Sequence, residues 1–152
     1  MDLTITDRID KQVFLRAPKS RVWRALSDSG EFGEWFKVRL VGPFVPGKQV
    51  AGRITYPGYE HMTMSVLVER MEPETLFSFR WHPYAVGPEA DYASEPTTLV
   101  EFRIAEAPGG TLLTLVESGF DRIPAERRAE AYRMNDGGWA EQMGNIQRHV
   151  AG

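Results

Sequence analysis

Between Thr4 and Ala17 polar and apolar positions alternate, and Ile9, Lys11, Val13 and Leu15 share one side of an extended chain, which predicts a first strand. Pro18 then opens a helix, a position where a missing N–H leaves no bond unmade. Val22, Trp23 and Leu26 recur there at helical spacing. Ser27-Asp28-Ser29-Gly30 breaks this pattern, and Glu31 to Phe36 reads as a second short helix ending in the bulky pair Trp35-Phe36. Extended segments follow at Lys37–Val41, Gln49–Tyr56, His61–Glu72, Leu76–His82, Thr97–Glu106 and Thr111–Ser118, punctuated by Gly42-Pro43, Pro46-Gly47, Pro57-Gly58, Pro73-Glu74 and Pro108-Gly109-Gly110. Within them Met62, Met64, Val66 and Val68 share a face, as do Phe77, Phe79 and Trp81, and Thr98, Val100, Phe102 and Ile104. Pro83 to Pro96 is left as a long Pro/Gly-bearing loop, of the kind that is often functional.

Pro124 to Val150 is the longest helical pattern. Trp139, Met143, Ile146 and Val150 step by four, three and four along one stripe. Gly137-Gly138 interrupts it at about 1 kcal/mol per glycine, which predicts a bend or a close approach of backbone to sheet. Strands closed by hairpins bury only one face among themselves, and the terminal helix is the one element long enough to cover it. The expected architecture is α+β: a curved antiparallel sheet wrapped around a long C-terminal helix, with two short helices after the first strand.

Composition narrows the class. The 152 residues suit a single domain, and 42% hydrophobic and 26% charged residues are ordinary for a globular chain. A net charge of −3 and a pI near 5.7 argue against a nucleic-acid partner. The chain has no cysteine, which excludes disulfides, thiolate metal sites and cysteine nucleophiles. The polar N-terminus and the lack of a long apolar run predict a cytoplasmic protein without a membrane span.

Ala17-Pro18-Lys19-Ser20-Arg21-Val22-Trp23-Arg24-Ala25-Leu26-Ser27-Asp28, followed by Trp35-Phe36, resembles the opening of the SRPBCC superfamily. More narrowly it resembles the branch named for the activator of heat-shock protein 90 ATPase homologue. Gly138-Trp139, with Met143, Ile146 and Val150 behind it, is similar to that family's closing helix, and Gly47 through Glu72-Pro73 to Phe79-Trp81 matches its strand rhythm. The resemblance implies the helix-grip (START-like) fold, and a small apolar ligand (lipid, sterol or polyketide-like) held between sheet and helix. It also raises two alternatives: a chaperone cofactor that stimulates the heat-shock protein 90 ATPase, and a cyclase- or hydrolase-type enzyme in the same cavity. The eukaryotic activators carry a further N-terminal domain for which a chain of this length has no room. Monomer or weak homodimer is the expected state.

The side chains expected to face the ligand are Trp35, Phe36, Met62, Met64, Phe79, Trp81, Phe120, Met134, Trp139 and Met143. Aromatic rings and adaptable methionines suit an apolar pocket, and they also fill ordinary cores. His82 stands at a strand end beside the long loop, where a pocket mouth would be, and joins the ligand-binding set. His61 and His149 have no partner at metal-ligand spacing, so no metal or other cofactor is expected. His149, close to the C-terminus, is expected in solvent. Arg53, Arg80, Glu101, Arg103 and Glu117 alternate with apolar neighbours and point outward on one reading; on the opposite parity Glu117 and Arg80 point inward. The mixed charges of Pro124-Ala125-Glu126-Arg127-Arg128-Ala129-Glu130 read as a solvated helix face. No nucleophile elbow, P-loop or dinucleotide fingerprint is present, so no catalytic residue is assigned.

Overall fold

The computed structural model describes residues 8–83 and 95–151. Its elements run β1 (Arg8–Leu15), α1 (Lys19–Ser27), α2 (Ser29–Phe36), β2 (Val38–Leu40), β3 (Gln49–Ile54), β4 (Thr63–Glu72), β5 (Leu76–Trp81), β6 (Thr98–Ala107), β7 (Gly110–Ser118) and α3 (Ala125–Ala151). The seven strands form one antiparallel sheet in the order β1-β7-β6-β5-β4-β3-β2. Consecutive strands from β2 to β7 pair as hairpins. The first strand pairs with the last, β1 with β7, from Arg8↔Ser118 to Leu15↔Thr111.

The expected faces hold. Met64, Val66 and Val68 of β4, Phe77 and Phe79 of β5, and Val100, Phe102 and Ile104 of β6 are all buried in one core with Ile9 and Leu15 of β1. A register shift between Val68 and Arg70 bends β4 and turns Met71 onto the edge of that core.

The Ser27–Gly30 break is a cap rather than a loop. Asp28 accepts from the backbone N–H groups of Gly30 at 2.9 Å and Glu31 at 3.1 Å, so α2 starts at Ser29. Phe32 of α2 then packs against Trp35, Phe36, Phe44, Phe77, Phe79 and Phe102. The helix ends as Lys37 takes a left-handed φ of 72°. Gly33 lets β2 fold back tightly, since a Cβ there would lie 2.2 Å from the Val38 carbonyl oxygen.

Helix α3 lies on the inner face of the sheet and buries Ala131, Trp139, Met143, Ile146 and Val150. Polar contacts fix its rotation: Lys11 to Asp136 at 2.9 Å, the Tyr132 hydroxyl to the Arg8 carbonyl at 2.9 Å, Gln142 to the Phe36 carbonyl at 3.1 Å, and Gln147 to the Phe14 carbonyl at 3.1 Å. Gly137-Gly138 departs from expectation. The helix is continuous through both, both are exposed, and a Cβ at either would meet nothing within 4 Å. Anchoring on both sides of the pair outweighs its poor helix propensity.

His149 also departs from expectation. It is half-buried and its Nε2 lies 3.0 Å from Glu31 Oε1. Arg21 and Arg24 reach the same carboxylate at 2.7 and 2.8 Å, so α1, α2 and α3 meet at Glu31. Burial alone would raise the Glu31 carboxyl, but the hydrogen bonds from His149, Arg21 and Arg24 outweigh it and bring the group from 4.5 to about 2.

Candidate functional site

Among the described residues, one charged side chain is fully buried. Glu117, near the end of β7, is 0% exposed. Its parity follows from Thr111, Leu113 and Leu115, all buried on the same side of β7. Four side chains from three elements converge on its carboxylate. From β5, Trp81 Nε1 donates to Oε2 at 2.7 Å, and from β6, Thr98 Oγ donates to the same oxygen at 2.6 Å. From α3, Trp139 Nε1 donates to Oε1 at 2.8 Å, while Asn135 Nδ2 spans both oxygens at 3.0 and 3.2 Å. Asn135 and Trp139 are four residues apart, so they stack on one helix face above the strand.

Every one of these donors is neutral. Among the described residues, no lysine, arginine or histidine lies within ion-pair distance of Glu117. Burying a carboxylate costs several kcal/mol. Hydrogen bonds to a charged group, at about 1.5–3 kcal/mol each, offset that cost only when the lone pairs are met as fully as they are here. Glu117 therefore joins β5, β6 and β7 to α3 and holds both indoles in fixed orientations.

Those indoles line a groove of about 180 Å³ together with Phe36, Met134, Asn135, Gly138 and Gln142. Phe36 meets Trp81 and Trp139 at centroid distances of 6.1 and 5.8 Å, and the two indoles lie 5.6 Å apart. The exposed backbone of Gly138 leaves the helix side of the groove open. Two larger hollows, of about 330 and 370 Å³, are lined mainly by polar groups such as Arg80, Asp121 and Arg122 in one and Glu34, Lys37 and Arg39 in the other. They lack the apolar wall that a small-molecule site needs.

Of the residues singled out in the sequence, Phe36, Trp81, Met134 and Trp139 line this groove. Trp35, Met64, Phe79, Phe120 and Met143 are buried in the core instead, and the Trp35 indole donates to the Ala25 carbonyl at 2.9 Å. Met62 is half-buried just before β4. His82 is half-buried and its Nε2 lies 3.0 Å from the Glu95 carbonyl oxygen. Arg127 of α3 binds the Glu95 carboxylate at 2.8 Å and the Pro83 carbonyl at 3.0 Å, so His82 and Arg127 together hold both described ends of the expected Pro83–Pro96 loop. The loop's interior, 84–94, lies outside the described residues. Arg80 turns to the outer face and pairs with Glu69 at 2.6 Å. An enzyme in this cavity would need a polar pair such as His82 with Glu117 or with Arg80, and among the described residues His82 shares no hydrogen bond with either. Among the described residues no three metal-ligating side chains gather, and no helix is long and apolar enough to cross a membrane.

Asn135, Gly138 and Gln142 were not singled out as lining residues, and Glu117 was placed on either face. Extending the Trp139 stripe one turn back reaches Asn135 and then Ala131, and that step was the available signal.

A family model described as Activator of Hsp90 ATPase homolog 1-like protein matches residues 16–151. No curated protein matches the chain. Among solved structures, DynU16, a protein in the dynemicin biosynthetic locus, superposes with a TM-score of 0.73 at 23% identity, over 97% of this chain and 48% of its own. The chain thus spans about half the length of DynU16. Protein MLL2253 from Mesorhizobium loti gives 0.74 at 20% identity, over 95% and 96% of the two chains. The Aha1 dimer from Colwellia psychrerythraea gives 0.70 at 12% identity, over 94% and 95%. At these identities the likeness shows the shared helix-grip fold.

Proposed function

This chain belongs to the Activator of Hsp90 ATPase homolog 1-like protein family, and we propose that it binds a small apolar ligand in the groove between the sheet and α3. The supporting observation is the pair of indoles, Trp81 and Trp139, locked by Glu117 and facing Phe36 and Met134 across an uncharged lining. Rigid aromatic walls lose little entropy on binding, and methionine adapts to the guest. At about 180 Å³ the groove has the scale of a cavity that takes one benzene-sized ring, about 150 Å³. The ligand class is therefore one ring or a short branched group; a whole lipid or sterol requires the groove to open. Cytoplasmic residence as a single domain, monomeric or weakly dimeric, belongs to the same proposal.

The test is a titration of the protein with small aromatic compounds, monitored by tryptophan emission. Saturable quenching that is lost in Gly138→Leu, whose side chain fills the groove, supports the reading. Unchanged quenching in that variant, with its fold verified by circular dichroism, overturns it. Stimulation of the heat-shock protein 90 ATPase is the reading that the family description raises, and a coupled ATPase assay tests it separately.

A further inference from the structure

We infer that the ligand of this groove is an organic cation, a small amine or quaternary ammonium group seated against Phe36, Trp81 and Trp139 with its charge facing the buried Glu117 carboxylate. The inference rests on the groove being a ligand site and adds the chemistry of the occupant.

Three observations carry it. The first is charge. Glu117 places a full negative charge directly behind the groove wall, one side chain removed, and its partners Trp81, Asn135 and Trp139 all line the groove. Its donors are neutral and none of the described residues lining the groove is charged, so among the described residues no cation balances it at contact distance. In a partly dehydrated site such a field favours a guest cation over a neutral guest of the same shape.

The second is the wall. Three aromatic rings within 5.6 to 6.1 Å of one another meet at the groove. Ammonium groups are attracted to aromatic faces, most strongly to indole, and clusters of such rings recognise quaternary ammonium ligands. Both indoles donate their N–H to an anion, and this donation pushes electron density back into the rings, which strengthens their attraction for a cation.

The third is the remaining polar group. Both short contacts of the Asn135 amide nitrogen go to Glu117, and Oδ1 of that amide has no hydrogen bond from the described residues. The Gln142 amide is already engaged on both sides, with the Phe36 carbonyl at 3.1 Å and Asn145 at 3.0 Å. Asn135 Oδ1 is thus an acceptor left to a guest, which suits an N–H or polarised C–H donor on a cation.

The experiment compares choline with 3,3-dimethylbutan-1-ol, which has the same shape with carbon in place of the charged nitrogen. Binding to the wild-type protein is followed through the indole N–H resonances of Trp81 and Trp139. The inference predicts that choline binds on the order of tenfold more tightly, or better. It also predicts that Glu117→Gln, where folded by circular dichroism, removes most of the difference in affinity between the two compounds. Equal binding of the two compounds overturns the cation assignment and leaves the groove as an apolar ligand site. No shift with either compound, nor with neutral aromatic compounds, overturns the assignment and the ligand site together. The wild-type comparison stands whether or not the variant folds.

Discussion

Glu117→Gln is a nearly isosteric change that removes one acceptor from a fully engaged carboxylate. Trp81, Thr98, Asn135 and Trp139 all donate to that group. If the amide oxygen faces Trp139 and Asn135, the amide nitrogen faces Trp81 and Thr98. The threonine hydroxyl can turn and accept; an indole N–H cannot, so it is left buried without a partner. Flipping the amide orphans Trp139 instead. One orphaned donor costs about 1–3 kcal/mol, and the surviving bonds drop from charge-assisted to neutral strength at about 1 kcal/mol each. Against this, the neutral amide recovers part of the desolvation cost of the charge. The balance is a loss of about 2–4 kcal/mol, equivalent for a domain of this length to about 4–16 °C in Tm. Urea unfolding followed by far-ultraviolet circular dichroism measures it. Indole N–H spectra add a local readout, because one of the two resonances should move upfield as its bond is lost. A variant within about 0.5 kcal/mol of wild type would refute the reasoning, since that is the range of an inconsequential surface change.

Three further outcomes are expected. Gly137→Ala and Gly138→Ala, both in open space within α3, should each stabilise the protein by about 0.5–1 kcal/mol in thermal melts; destabilisation by either would mean that the helix needs glycine there. Lys37→Gly should add about 1 kcal/mol by relieving the left-handed φ of 72° at the end of α2, and a lower urea midpoint would contradict that. The Glu31 carboxyl is lower in the folded protein, at about 2, than its ordinary 4.5, so its stabilising contribution is complete above the ordinary value and is lost as pH falls toward 2. Between pH 6 and pH 3 the urea midpoint should therefore fall further in wild type than in Glu31→Gln, and equal falls would show that the cluster does not carry this dependence.

Period-two alternation made most of the sheet legible, because one face is buried and each of β1, β4, β5 and β6 carries most of its apolar residues on that face. Strand β7 was ambiguous. Leu113 and Leu115 point one way while Leu112 and Val116 point the other, and Val116 is itself buried at 8% exposure. Neither parity of Glu117 was therefore excluded by hydrophobicity alone. What decides it is tertiary: two indoles, a hydroxyl and an amide from elements 18 to 36 residues away in sequence. The groove was half legible for a related reason. Trp35 and Phe36 are neighbours on α2, yet one helical step of about 100° sends the first into the core and the second to the groove. Met64, Phe79 and Met143 share the chemistry of Met134 and Trp81 and differ only in depth, a property that spacing does not encode. Gly137-Gly138 read as a break because propensity is local, whereas the contacts that keep α3 continuous are not.

The chain's four tryptophans allow one direct test of the central claim, that a small ligand sits against the two indoles held by Glu117. With indole nitrogens labelled, the protein is titrated with a panel of small aromatic and ammonium compounds. The account predicts that the Trp81 and Trp139 resonances shift together and saturably. Trp35, bonded to the Ala25 carbonyl, and Trp23 of α1 should stay in place. Movement of Trp23 or Trp35 alone, or no movement with any compound, would contradict it.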